Sequence, residues 1–426
     1  MKVCLLNDSF PPVIDGVANA VVNYAKILTE HYDGAVVATP YYPDVVDDYP
    51  FPVVRYPSID TTHMVGYRAG VPFSPESAAR IQKEHVALLH SHCPVASTIF
   101  GRELRDLLDV PLVLTYHTKF DIDIANLVRS NRVQQAAIHL MVNNISACDE
   151  VWVVSRGAGE NLKSLGYEGD YVVMENGVDF PRGRVPQDAV DELLARYAIP
   201  AGEPIYLFVG RMMWYKGLRL TLDALRRLKD AGKPFRMIFV GDGADRGEIE
   251  SYARTLDLGE RCIFTGAIHD REVLRAYFCA ADLFLFPSTF DTNGLVVREA
   301  AACSLASVIV RGSCAAEGVT DGETGFFIEE TAESMAELLL QIGGRREICR
   351  AVGQRAMEQI YLSWEDSVAR AWDRYGVVCD NYRTAGKRAP VKAWPREFIR
   401  AIDDVNEGLR RLRESHAHDW NNDRYL

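Results

Sequence analysis

The sequence predicts an α/β protein of two doubly wound, Rossmann-like domains facing across a cleft. Three observations predict it. Short apolar runs alternate with stretches of helical periodicity in both halves of the chain, the pattern of parallel sheets with helices on both faces. The 426 residues suffice for two domains of ordinary size. Apolar runs end repeatedly in polar or glycine-containing turns, the edge at which such sheets take ligands.

Composition narrows the function classes. Hydrophobic residues make up 48% and charged residues 25%, as in ordinary globular protein. A formal charge of −12 argues against broad nucleic-acid binding. The nine cysteines include no Cys-x-x-Cys pair, which argues against structural zinc and a disulfide framework and fits a reducing compartment. Met1 leads directly into a strand-like run, and no apolar run is long enough to span a bilayer. The expected location is cytoplasmic, with any membrane contact peripheral.

In the first half, Lys2 to Leu6 is a short strand, followed by a polar loop and a helix from Val17 to Leu28. Gly16 stands at that helix start, where a ligand can approach the backbone closely, unless it is a plain turn glycine. Further strands are expected at Ala35 to Ala38, Pro52 to Tyr56, Ala87 to His90, Pro111 to Tyr116, Glu150 to Val154 and Tyr171 to Met174. Pro57 to Phe73 reads as an irregular surface loop. His90, His92, His117 and Ser155 lie at or just beyond strand ends. The three histidines have no His-x-x-x-His spacing, so polar cleft residues are favoured over zinc ligands. Pro181, Arg182, Gly183, Arg184 and Pro186 mark an interdomain connection. The expected domains are residues 1–182 and 183–375, with a tail at 376–426 packing back on the first domain.

The second half repeats the alternation. Ile205 to Val209 leads into Gly210-Arg211, then Lys216-Gly217 and a helix. Two cations at a strand end suit a phosphate, or form an exposed basic turn. Gly241-Asp242-Gly243, with Gly247 beyond, resembles a dinucleotide fingerprint with its last spacing one residue too long. The next strand ends in Thr265-Gly266 rather than in an acid, which argues against a nicotinamide dehydrogenase. The chain is organised around Phe286 to Ala302. There a strand stops at Pro287, Asp291 to Gly294 form a polar turn, and Leu295 opens a helix. Such a helix N-terminus offers N–H groups to an anion. Asp291 before it and Glu299 within it could accept hydroxyl hydrogen bonds on either side; a capped core helix with solvated acids is the alternative.

The order of these pieces resembles the retaining family-four glycosyltransferases of the GT-B fold. Gly16, His117-Thr118, Asn176-Gly177-Val178-Asp179, Gly210-Arg211, Lys216-Gly217, Gly241-Asp242-Gly243 and Phe286 to Glu299 carry the resemblance, over roughly residues 1–375. It implies a hexose transferred from a nucleoside diphosphate sugar such as UDP-glucose, with no metal and no other cofactor. Arg211 and Lys216 would hold the diphosphate and stabilise the leaving group. Glu299 would hold the ribose, Asp291 the donor sugar hydroxyls, and the amides near Asn293, Gly294 and Leu295 the sugar and phosphate. His117 would sit near the sugar, and the backbone at Ile268 would meet the base. The family usually has glutamate at the position of Asp291, which is one methylene shorter.

Asp8-Ser9-Phe10-Pro11-Pro12, Asp15-Gly16-Val17-Ala18, Arg55-Tyr56-Pro57-Ser58, Tyr67-Arg68 and Thr115-Tyr116-His117-Thr118 are most similar to diacylglycerol glucosyltransferases within the family. This implies a glycolipid precursor such as diacylglycerol as acceptor. A soluble sugar acceptor, or a catalytically silent binding protein, are the other readings. Arg383 to Arg400 gathers Arg383, Lys387, Arg388, Lys392, Arg396 and Arg400 against Glu397, with Trp394, Phe398 and Ile399 interleaved. That face suits either an anionic membrane surface or packing on the first domain.

Overall fold

The computed structural model describes residues 1–384 apart from 14, 63–66, 121–123, 125–129 and 201. The basic, aromatic segment from 385 onward therefore lies outside the described residues, and so does most of the expected tail. The chain from Met1 to Tyr382 forms one compact unit.

Two parallel sheets organise it. The first uses β1 (Val3–Leu6), β2 (Ala35–Pro40) and β3 (Val53–Tyr56). A separate antiparallel pair, β4 (Ser58–Ile59) and β5 (Ala69–Gly70), follows. Then come β6 (Leu88–Ser91), β7 (Leu112–Tyr116), β8 (Glu150–Val153) and β9 (Val172–Val173). The order across the sheet is β3-β2-β1-β6-β7-β8-β9, parallel throughout. The second sheet uses β10 (Ile205–Val209), β11 (Arg236–Val240) and β12 (Cys262–Gly266) on one side. On the other side are β13 (Leu283–Phe286), β14 (Ser307–Val310) and β15 (Phe326–Ile328). Its order is β12-β11-β10-β13-β14-β15, again parallel. In both sheets the order reverses beside the first strand, between β1 and β6 and between β10 and β13. These are the switch points at which doubly wound sheets open a crevice.

The strands read as continuous apolar runs because both faces are covered. Along β1, Val3 and Leu5 join one core cluster while Cys4 and Leu6 join the other, the two-residue alternation of strand side chains. The β4–β5 pair is where a loop was expected. Two-residue strands are too short to carry an alternation; the pair is held by backbone pairing of Ser58 with Gly70 and by Arg68 donating to Ser58 Oγ at 2.9 Å.

The helix Trp364–Thr384 departs from the sequence expectation that it closes the second half. Trp364, Val368, Ala371, Tyr375, Val378 and Cys379 belong to the core cluster that holds Val3, Leu5 and Leu88 of the first sheet. Tyr375 stacks on Trp152 of β8 at 5.2 Å between ring centroids, and Arg374 pairs with Glu150 at 2.6 Å. The chain thus crosses between the domains twice, and the crossings touch. Val178 donates its N–H to the Leu362 carbonyl at 3.0 Å. A Cβ on Gly177 would lie 2.4 Å from the Trp364 nitrogen and 2.5 Å from the Ser363 carbonyl. Only glycine fits there without displacing backbone.

Gly177→Ala should therefore destabilise the chain by roughly 1–3 kcal/mol, the usual cost of overpacking. Gly376→Ala, with nothing within 4 Å of the added Cβ inside a helix, should be neutral or gain about 0.5–1 kcal/mol. Urea denaturation of both variants checks the pair; equal effects would contradict the packed crossing.

Candidate active site

Both switch points open into one cavity of about 620 Å³. The first domain supplies Asn7, Asp8 and Ser9 after β1, and Asp15 with Gly16 at the next helix. It adds His92 and Cys93 after β6, His117 and Thr118 after β7, and Asn176. The second domain supplies Gly210 and Arg211 after β10, Lys216, Arg271, and the run from Asp291 to Val296 with Glu299. Nine of the expected site residues are thus brought together: Gly16, His117, Arg211, Lys216, Asp291, Asn293, Gly294, Leu295 and Glu299. Ile268 is not among the lining residues; it is half-buried past the end of β12 and packs against the second core.

Local chemistry explains each position. Lys216 ends a short turn, Trp214–Lys216. Gly217 follows at φ +77°, and a Cβ there would meet the Pro287 carbonyl at 2.6 Å. A glycine thus lets this turn lie against the exit of β13. Lys216 is buried, and its Nζ pairs with Asp291 Oδ1 at 2.5 Å. The helix Leu295–Ala302 starts after Gly294, at φ +60°, without a side-chain cap. Its first-turn N–H groups are the kind that bind anions.

Glu299 Oε1 accepts from Arg271 at 2.7 Å, and Arg271 lies 3.8 Å from Asp179 as well. Burial pushes the Glu299 carboxyl up, and the Arg271 guanidinium opposes that shift. Arg271 escaped the sequence reading, because a lone arginine opening a helix carries no motif. Asp8 escaped it as a cavity residue for a different reason. It is buried and caps the helix Ala96–Leu108 from a distance, accepting the N–H groups of Ala96 and Ser97 at 3.1 and 2.8 Å.

The histidines form a buried network, and their nitrogens face one another and polar side chains. His92 Nδ1 lies 2.9 Å from His117 Nε2, and His117 Nδ1 lies 3.4 Å from Asn176 Nδ2. His90 turns into the first domain, between Tyr375 Oη at 2.6 Å and Thr115 Oγ1 at 2.7 Å, and does not line the cavity. Desolvation keeps all three neutral: His90 and His92 fall well below the usual range, and His117 drops to about 3. Among the described residues, no group of three or more His, Cys, Asp or Glu side chains is arranged to hold a metal ion.

The domains meet across the cavity by direct bonds. Thr292 Oγ1 donates to the His117 carbonyl at 2.7 Å, and Ser155 Oγ donates to the Thr292 carbonyl. Glu317 accepts the N–H groups of Arg156 and Gly157 at 2.7 and 2.6 Å. Three buried polar atoms on the cavity lining have no protein partner among the described residues: Asp291 Oδ2, Asn293 Nδ2 and His92 Nε2. Buried polar groups are normally satisfied, so this wall is built for a ligand that both donates and accepts.

Residues 14–182 match the model of Glycosyltransferase Family 4, and residues 189–359 match that of Glycosyl transferases group 1. The chain belongs to the family-four glycosyltransferases. This family-four chain is 24% identical to an alpha-monoglucosyldiacylglycerol synthase of Streptococcus pneumoniae, over 55% of the chain and 54% of that protein. It is 25% identical to the sulfoquinovosyl transferase SQD2 of Arabidopsis thaliana, over 94% and 76%. It is 34% identical to a 2-deoxystreptamine glucosyltransferase of Streptomyces kanamyceticus, over 48% and 50%. The chain thus spans about half the length of the first and third of these relatives. In structure it is similar to Anabaena HepE in complex with UDP, with a TM-score of 0.71 at 18% identity, covering 88% of this chain and 100% of that one. That likeness establishes the GT-B fold, two Rossmann-like domains facing across a cleft. No helix among the described residues is long and apolar enough to cross a membrane.

The neutral imidazoles make stability depend on pH. An unfolded imidazole takes a proton near pH 6.5, whereas folded His117 does so only near 3. The unfolded state binds more protons in between, so stability falls as pH drops through that window. Urea midpoints from about pH 7 to about pH 5 should fall, by about 1.4 kcal/mol per pH unit for each imidazole that stays neutral. His92→Gln should shallow the slope, and a flat profile in the parent chain would contradict the buried network.

Proposed function

We propose that the protein is a retaining hexosyltransferase that takes a nucleoside diphosphate sugar as donor and a glycolipid precursor such as diacylglycerol as acceptor. The observation that carries the reading is the set of unpartnered polar atoms, Asp291 Oδ2, Asn293 Nδ2 and His92 Nε2, on the wall beside Arg211, Lys216 and an uncapped helix N-terminus. A diphosphate needs the cations and the N–H groups; a hexose needs a neighbouring mixture of donors and acceptors. The likeness to an alpha-monoglucosyldiacylglycerol synthase supports the acceptor class.

In this reading the bond from the sugar C1 to the diphosphate oxygen breaks and a bond from C1 to the acceptor oxygen forms on the same face. The acceptor proton passes to the departing diphosphate. Arg211 and Lys216 hold the charge that grows on the leaving group, which is where electrostatic stabilisation acts. Asp291 gives Oδ1 to Lys216, and Oδ2 takes donor-sugar hydroxyls. Glu299 takes the ribose hydroxyls, and Arg271 sets the direction of its carboxylate. His117, neutral with both ring nitrogens engaged, shapes the sugar pocket and does not exchange protons. The expected domains, 1–182 and 183–375, then divide the work as acceptor and donor side, except that the segment from Trp364 packs with the first. The tail at 376–426 starts within the helix that packs on the first sheet.

Glu299→Ala should weaken UDP binding by about tenfold or more, since a hydrogen bond to a charged group contributes roughly 1.5–3 kcal/mol. Lys216→Ala should lower turnover more than donor affinity, because the charge it meets grows in the transition state. Asp291→Ala should retain or tighten UDP binding, having freed Lys216, while lowering transfer. Calorimetric titration of UDP beside transfer rates from UDP-glucose tests all three; a Glu299→Ala chain that binds UDP like the parent would overturn the site assignment.

A further inference from the structure

We propose that the acceptor pocket selects by charge, taking acceptors that are uncharged at the cavity and rejecting those that carry a phosphate there. The inference rests on the transfer reading above and concerns its other half, the wall supplied by the first domain. The cations among the described lining residues, Arg211, Lys216 and Arg271, all come from the second domain. The first domain contributes two carboxylates, Asp8 and Asp15, and two imidazoles, His92 and His117, that burial keeps neutral. Arg68, next to the lining residue Tyr67, is held by Asp60 at 3.2 Å and by Ser58 Oγ at 2.9 Å.

Helix N-termini are the other means of holding a phosphate. Carboxylates occupy three of them on this side, while the helix Asn131–Ser146 has no side-chain cap. Asp15 Oδ1 accepts the N–H groups of Val17 and Ala18 at 2.8 and 2.7 Å. Asp8 accepts from Ala96 and Ser97, and also from Ser97 Oγ at 2.5 Å and Tyr56 Oη at 3.1 Å. Burial pushes the Asp8 carboxyl up, and the hydrogen bonds from Ser97 and Tyr56 oppose that shift. After β8, Glu317 reaches across from the second domain to the helix Arg156–Ser164. The contrast is with the helix Leu295–Ala302 on the donor side, which has no side-chain cap. An anionic acceptor would meet carboxylates where the donor diphosphate meets cations, and like charges face to face oppose binding. Oδ1 of Asp15 is committed to its helix, so Oδ2 of the same group is left to take a hydroxyl donated by an uncharged acceptor.

The full-length chain is tested with UDP-glucose and matched acceptors: diacylglycerol against phosphatidylinositol in one neutral detergent, and myo-inositol against myo-inositol 1-phosphate. In each pair that supports transfer, the uncharged member should have the higher kcat/KM by about tenfold or more. Asp15→Asn keeps a good helix cap while removing the charge, and should shrink that ratio severalfold. Calorimetry of the UDP-loaded parent chain with millimolar myo-inositol 1-phosphate should give no binding. Equal or better use of a phosphate-bearing member, an unchanged ratio in Asp15→Asn, or uptake of myo-inositol 1-phosphate by the UDP-loaded chain would each overturn the proposal. Failure of the transfer reading itself appears separately, as absence of UDP binding before any acceptor is added.

Discussion

The constraint on which the molecule depends is the contact between its two interdomain crossings. Gly177 lies flat against Ser363 and Trp364, and Val178 bonds to Leu362. This contact sets the position of Asn176, just beyond the first domain's last strand, and Asn176 faces His117. It also launches the helix Trp364–Thr384 onto the first sheet, where Tyr375 meets His90. The cavity is a gap between two separately packed cores, so its geometry follows from how the chain passes between them. The bonds from Thr292 to His117 and from Ser155 to Thr292 then close the walls.

The site separates two kinds of work by domain. The second domain holds charge in pairs, Lys216 with Asp291 and Arg271 with Glu299. Both pairs are partly desolvated, so a ligand arriving there exchanges partners with groups already oriented. Among the described lining residues, the first domain contributes polar groups and no cation. Its imidazoles pack against one another, and its lining carboxylates cap helices, Asp15 the one it precedes and Asp8 the distant Ala96–Leu108. On the proposed reading, such a pocket recognises one end of the reaction by charge and the other by shape and hydroxyl geometry.

Much of this was legible from the sequence, for physical reasons that can be named. Parallel strands buried on both faces read as apolar runs, so the alternation of β1, β6, β7 and β10 to β14 with helices was visible. Turns after strands need glycine and polar residues, so Gly16, Gly210-Arg211, Lys216 and Asp291 to Leu295 stood out, and they line one cavity. Ile268 was offered for the same wall and packs on the second core instead. Other features leave no local signal. The Lys216–Asp291 pair joins residues 75 positions apart, and Arg271 or Glu317 look like any surface charge on a helix or loop. Helical periodicity in Trp364–Thr384 marks an apolar face without saying which sheet it covers. The β4–β5 hairpin is too short for its alternation to be read.

The destination of that last helix has a consequence for how the chain is made. Val3 and Leu5 of the first strand share a core cluster with Trp364, Val368 and Tyr375. During synthesis the first domain emerges with that side of its sheet only partly covered, by the helix Gly16–His31, and the second domain is completed while the gap left for Trp364, Val368 and Tyr375 persists. Folding of the leading half as an independent unit, the usual order for multidomain chains, is therefore incomplete here until the helix Trp364–Thr384 has left the ribosome. The interval exposes part of an apolar sheet face to chaperones and to other nascent chains.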